Sequence, residues 1–161
     1  MNFKPNLEKK DSQNQGETTV KSYEPITRHM TKDLITFAID TEITEVIDTL
    51  LEKRISGAPV LNDKKEIIGV IDDKDCLHVL VDSVYHNLPI RKRVVEAYMT
   101  DVYKTISIDS DIVDVANEFL KSNFKRLLVV GATGKLMGQI SRGDILKAIQ
   151  SVNRTNWHKQ N

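Results

Sequence analysis

Apolar residues recur along this chain in two patterns, and each pattern occurs twice. Ile43, Val46, Ile47, Leu50 and Leu51 follow the i, i+3, i+4, i+7, i+8 spacing of a helix with one buried face, and Ile112, Val115, Ala116, Phe119 and Leu120 copy it. Asp40-Thr41 and Asp109-Ser110, just ahead, are expected to cap these helices, because short polar side chains accept from the first free backbone N–H groups. After each helix come two short apolar runs, Ala58 to Leu61 and Glu66 to Ile71, then Leu127 to Val130 and Lys135 to Ile140. The intervening Asn62-Asp63-Lys64-Lys65 and Gly131-Ala132-Thr133-Gly134 have turn chemistry, so each pair predicts a β-hairpin. A short strand is expected before each first helix, near 35–39 and 104–108, and a second helix from about Lys74 and Gly143. The order is β-α-β-β-α, twice.

The duplication extends to the residues themselves. Positions 30–77 align with 99–146 at a constant offset of 69 without a gap, and 13 of 48 pairs are identical, against roughly one in sixteen for unrelated sequences. Met30 and Met99, Val60 and Val129, Gly69 and Gly138, and Asp75 and Asp144 are among them. Two copies cannot make a stacked array, so an α+β fold is expected, in which two repeats pack as a pseudo-twofold pair. The expected organisation is a flexible polar tail over 1–22, a first repeat over 23–84, a linker over 85–95, a second repeat over 96–152 and a polar tail over 153–161. Trp157 either packs back on the second repeat or stands exposed. In the linker, Pro89 favours a turn, and Arg91-Lys92-Arg93 is expected to begin a helix with a solvated face, the alternative being an anion site.

Composition narrows the function classes. The chain has 161 residues, with Lys plus Arg and Asp plus Glu at 23 each. No overall field draws such a chain to nucleic acid or an anionic membrane, so any anion site must be local. Repeats of about 60 residues bury little surface alone, which couples their folding. The one cysteine, Cys76, falls in the apolar run 76–81 and is expected to be a core residue without redox function. No charged leader precedes an apolar stretch, and no apolar run reaches the roughly 18 residues that span a bilayer. A soluble, cytoplasmic chain is expected. His29, His78, His86 and His158 have no metal-ligand spacing, and neither a phosphate loop nor a nucleophile elbow is present. Enzymatic activity is not expected.

The pattern resembles a tandem cystathionine-β-synthase (CBS) domain pair, or Bateman module, over about residues 24–152. The resemblance is carried by Met30-Thr31 and Met99-Thr100, by Ser56-Gly57-Ala58-Pro59-Val60, and by the strand ends Gly69 to Asp75 and Gly138 to Asp144. It implies a non-catalytic regulatory module with two equivalent clefts that bind AMP, ADP, ATP or a related adenosyl ligand, and that commonly pairs into a flat dimer. It further implies that Ser141 and Asp144, with Arg142 between them, serve the sugar and phosphate end of a ligand whose adenine lies near Ile35, Ile55 and Ser56. A carboxylate is a good acceptor for a diol, and a helix start donates to phosphate. On local sequence alone, Ser141-x-x-Asp144 is equally a capping box, and Ile35 and Ile55 are equally core residues.

The other cleft would combine Asp72 and Asp75 with Lys125 and Arg126. Asp72 stands where the second repeat has Ser141, which repels phosphate, while the basic pair attracts it. Lys125 and Arg126 could equally be a solvated pair. Three functions follow from these residues: a sensor of adenine nucleotide, with Mg2+ as a possible companion, acting on an effector protein or its own dimer; a homodimerisation or docking module without nucleotide, favoured by Asp72 and the lack of a fused effector domain; and a metal-modulated sensor using Asp72, Asp73 and Asp75.

Overall fold

The computed structural model describes residues 23–86 and 93–157, with side chains through Ser151. The expected tail over 1–22, Pro89, Arg91, Lys92, His158 and the side chain of Trp157 lie outside the described residues. The first repeat consists of β1 (Phe37–Ala38), α1 (Ile43–Lys53), β2 (Gly57–Leu61), β3 (Ile67–Asp72) and α2 (Asp73–Tyr85). The second consists of β4 (Thr105–Ser107), α3 (Ile112–Lys121), β5 (Arg126–Val130), β6 (Leu136–Ser141) and α4 (Arg142–Trp157). The sheets are ordered β1-β2-β3 and β4-β5-β6, the first pair of each parallel and the second antiparallel. Both antiparallel ladders carry an irregularity at the same repeat position, Val60/Leu61 and Val129/Val130. The hairpin turns form as expected: Asn62 accepts the N–H groups of Lys64 and Glu66 through its side chain, and Lys65 and Gly134 take positive φ.

Each sheet and its helices enclose a core, but the two cores exchange residues. The 3-10 turn Ile26–Arg28, which precedes the first repeat in the chain, lies on the second: Ile26 and Met30 are buried with Val115, Phe119, Leu127 and Ile140. Its counterpart Val95–Ala97 lies on the first repeat, where Val95, Tyr98 and Met99 pack with Val46, Leu50 and Ile71. The backbone contacts that hold the two segments are pseudo-symmetric. Thr31 bridges Gln139 as Thr100 bridges Val70, and Pro25 bridges Asp111 as Val94 bridges Glu42. Gly69 and Gly138 lie where the exchanged segments cross: an added Cβ would stand 2.7 Å from Thr100 O and 2.6 Å from Thr31 O respectively. Fully burying a side chain such as Ile26 contributes about 2 kcal/mol, so neither repeat has a complete core without the other's leading segment.

This exchange also corrects the expected caps. The N-cap of α1 is Glu42, with no side-chain bond, and the Ile43 N–H donates to Arg93 O at 2.8 Å. For α3 the N-cap is Asp111, in a capping box with Asp114, and the Ile112 N–H donates to Glu24 O at 3.0 Å. Asp40-Thr41 and Asp109-Ser110 are instead in the turns before the helices; a carbonyl from the exchanged segment satisfies the first helical N–H in each case. Arg93 is not solvated as expected: its Nη1 donates to Asp82 Oδ2 at 2.9 Å and to Tyr98 Oη at 2.7 Å, fixing the second segment on α2. Cys76 is half-buried, packed against the first core rather than inside it, because the run 76–81 winds around α2 and places Leu77, Leu80 and Val81 facing outward. Burial and three neighbouring aspartates push its thiol up to about 11. Two other apolar positions of the helical stripes, Leu51 and Leu120, are also outside the core, 72% and 85% exposed.

Candidate functional site

Helices α2 and α4 both open at the end of a strand, and both openings are capped through side chains. In the first repeat, Asp72 Oδ1 accepts from Asp75 N at 2.9 Å and Asp75 Oδ2 accepts from Asp72 N at 3.0 Å. In the second, Asp144 Oδ2 accepts from Ser141 N at 2.9 Å and from the Ser141 hydroxyl at 2.7 Å, while Ser141 Oγ accepts from Asp144 N at 3.3 Å. These are reciprocal caps at matching positions. Burial holds the Asp75 carboxyl above the ordinary carboxylate range, reinforced by the nearby Asp72 charge and opposed by the Asp72 N–H bond.

The opening of α2 borders a cleft of about 320 Å³ made by both repeats. The first repeat contributes Ser56 ahead of β2, Ala58 within it, Val70 to Asp72 of β3, and Asp73 and Lys74. The second contributes Thr100 and Val102 to Lys104 ahead of β4, Asn123 to Lys125 between α3 and β5, and Arg126 and Leu128 of β5. Ala58, Val70, Ile71, Val102, Phe124 and Leu128 make the walls largely apolar, and Lys74, Lys104, Lys125 and Arg126 bring four cations to the rim. Tyr103 is fixed by its hydroxyl, which donates to Ile67 O at 3.0 Å, and Lys104 Nζ is 3.4 Å from Glu118 Oε1. A flat ring system between apolar walls with a few polar anchors is the ordinary content of such a space.

Arg126 connects the two halves of the cleft. Its Nη1 donates to Gly57 O at 2.8 Å and its Nη2 to Ser56 Oγ. The backbone register explains the reach: Arg126 opens β5 opposite Ser141, and Gly57 opens β2 opposite Asp72. A Cβ at Gly57 would stand 2.6 Å from Ile71 O, so the strand start is closely packed there.

Measured against the sequence, the structure brings Asp72, Lys125 and Arg126 together in one cleft and keeps Asp75 behind it in the cap. Ser141 and Asp144 are joined in the second cap, with Asp144 Oδ1 3.5 Å from Lys147 Nζ. Arg142 points to α3: its Nη2 donates to Ser122 O at 3.4 Å, and its guanidinium lies 5.8 Å from the Phe119 ring centre. Ile35 and Ile55 pack against the first core. Ser56, expected with Ser141 and Asp144, lines the Asp72 cleft and binds Arg126. Sequence reasoning missed Val102, Tyr103, Lys104 and Phe124. The repeat offset was the signal that could have found two of them, since Ile35 maps onto Lys104 and Ile55 onto Phe124.

Comparison with known proteins agrees with this architecture. The family model for the CBS domain matches residues 20–82 and 95–151. The chain belongs to the CBS domain family. This CBS pair is 31% identical over 128 residues to protein MJ1225 of Methanocaldococcus jannaschii, a match covering 80% of this chain and 44% of that one. It is 27% identical over 137 residues to the chloroplastic CBSX2 of Arabidopsis thaliana, covering 71% and 58%. The chain therefore spans about half the length of these relatives. Among solved structures, CBSX2 in complex with AMP superposes with a TM-score of 0.69 at 27% identity, covering 81% of this chain and 98% of that one. The CBS pair of MJ0100, in complex with 5'-methylthioadenosine and S-adenosyl-L-methionine, shares the fold with a TM-score of 0.68 at 21% identity, covering 81% and 98%. Among the described residues, no helix is long and apolar enough to cross a membrane.

Proposed function

We propose that this CBS pair is a non-catalytic regulatory module that binds an adenine nucleotide in the clefts between its repeats and passes their occupancy to an effector protein or to its own dimer. The carrying observation is the cleft of about 320 Å³, in which both repeats supply apolar walls for a base and Lys125 and Arg126 stand at the rim for phosphate. The AMP complex of CBSX2 supports the same reading. At the pseudo-equivalent cleft, Asp144 has one carboxylate oxygen engaged in the cap, and the other would accept from ribose hydroxyls, with Ser141 and Arg142 beside it and Ile35, Ile55 and Ser56 toward adenine. Mg2+ would accompany a polyphosphate near Asp72.

The experiment is a thermal-shift series with AMP, ADP, ATP and S-adenosylmethionine, each with and without Mg2+. A ligand at 100 times its Kd adds about 2.7 kcal/mol, which is several degrees in Tm for a chain of this size. Absence of a shift with all four overturns the reading. Asp144→Ala and Lys125→Ala then assign the response to one cleft or the other.

A second reading is favoured by a specific observation: Leu51, Leu77, Leu80 and Val84 on α1 and α2, and Leu120, Leu146 and Ile149 on α3 and α4, are exposed along the helices of both repeats. Surfaces of this kind are association sites. We propose that the module homodimerises through them, which sedimentation of the chain and of a Leu51→Glu/Leu120→Glu variant tests: the parent is expected to run as a dimer and the variant as a monomer.

A further inference from the structure

The two clefts differ at every cation. Lys74, Lys104, Lys125 and Arg126 border the first, and the positions 69 residues away are Gly143, Ile35, Ser56 and Gly57, all neutral. Of the four, Arg126 crosses from one repeat to the other. Both of its bonds go to neutral oxygens, Gly57 O and Ser56 Oγ, and among the described residues no carboxylate pairs with it, although Asp72 and Asp73 line the same cleft. Its guanidinium is therefore held by neutral acceptors at the edge of a cleft. Bonds from a guanidinium to phosphate are charge-assisted and bidentate, and about twice as strong as bonds to neutral acceptors. A phosphate in the cleft would thus outcompete the carbonyl and the hydroxyl.

We propose that Arg126 is an exchangeable tether: with no phosphate in the first cleft it ties the start of β5 to the start of β2, and the phosphate of an incoming nucleotide takes the guanidinium from Ser56 and Gly57. The tether joins strand ends whose register partners are the N-caps of α2 and α4, Asp72 and Ser141. Its exchange therefore acts on the openings of both helices, and the seam between the repeats reports phosphate. A phosphate-free adenosyl ligand fills the cleft without touching the tether. This inference rests on the nucleotide reading above.

The test is calorimetric titration of the full chain with ATP and with adenosine, together with hydrogen exchange at the Ser56 to Ala58 amides. ATP is expected to bind about tenfold or more tightly than adenosine. Arg126→Ala should erase that preference, and Arg126→Lys should restore part of it. Ser56→Ala removes a competing acceptor and should tighten ATP binding by about two- to fivefold. In the parent chain, ATP but not adenosine should speed exchange at Ser56 to Ala58, and this response should vanish in Arg126→Ala. An ATP preference that survives Arg126→Ala, ATP binding weakened or unchanged in Ser56→Ala, or exchange indifferent to ATP overturns the tether while leaving nucleotide binding intact. Failure of the parent to bind both ligands overturns the nucleotide reading and the tether with it.

Discussion

The starts of α2 and α4 solve one backbone problem with different chemistry. Both caps are reciprocal, and Asp75 and Asp144 occupy the same place in each. At the N-cap, however, Asp72 brings a charge where Ser141 brings a hydroxyl, and around the first cap the second repeat supplies basic residues that have only neutral counterparts at the other. The fold requires a capping side chain at this point and tolerates either one. The cap motif therefore marks where a cleft lies, while the residues across the cleft set its charge.

The largest effect is expected where the repeats are most alike. Gly69→Ala and Gly138→Ala each push a Cβ to within 2.7 and 2.6 Å of a carbonyl of the exchanged segment, at a cost of about 3 kcal/mol each by urea unfolding. Equal losses would show that both exchanged segments are held alike; a tolerated substitution at one would break the pseudo-symmetry. Equal or smaller in size, Ile26→Ala opens a void in the second core and Val95→Ala a smaller one in the first, with about 3 and about 2 kcal/mol lost. Hydrogen exchange should locate each loss in the repeat that receives the residue, not in the repeat that the residue leads in the chain.

The caps sharpen the comparison at a finer scale. Asp144→Ala forfeits two bonds from Ser141 and should cost about 1.5 kcal/mol, whereas Asp75→Ala forfeits one bond, relieves repulsion from Asp72 and should cost about 0.5 kcal/mol. The smallest effect is in pH dependence, where two carboxylates act with opposite signs. The folded state raises the Asp75 pKa by burial, so the native chain holds this proton more tightly than the unfolded one. Stability from this group falls as pH rises from the unfolded carboxylate value, about 3.9, through the folded one. Glu24 is lowered, first by its bond with His29, so its contribution is present above its unfolded value of about 4.3 and is lost as pH falls through the folded one. Asp75→Asn should remove the first slope and Glu24→Gln the second in urea titrations between pH 3 and 6.

Much of this was legible in the chain. Ile43, Val46 and Leu50 are buried on the face their spacing marks, and the hairpins turn at Asn62 to Lys65 and Gly131 to Gly134. Local signals suffice there because helix faces and tight turns are decided by neighbours a few residues apart. Leu51 and Leu120 obey the same helical spacing and are nevertheless exposed, since spacing locates a stripe but the neighbouring elements determine how wide a stripe is covered. For Cys76, an apolar run predicts a core residue, although half of that run faces outward on an amphipathic helix.

By itself the sequence determined the two repeats, their order of elements and the positions of the capping residues Asp72, Asp75, Ser141 and Asp144, all through short-range pattern and one constant offset. Tertiary structure alone decided that each repeat's leading turn completes the other's core, that Arg93 O and Glu24 O satisfy the first N–H groups of α1 and α3, and that Arg126 joins Ser56 and Gly57. Those hydrogen bonds link residues about 50 to 90 positions apart. Each is chosen by which surfaces remain uncovered after the local elements have formed, and no local pattern encodes that.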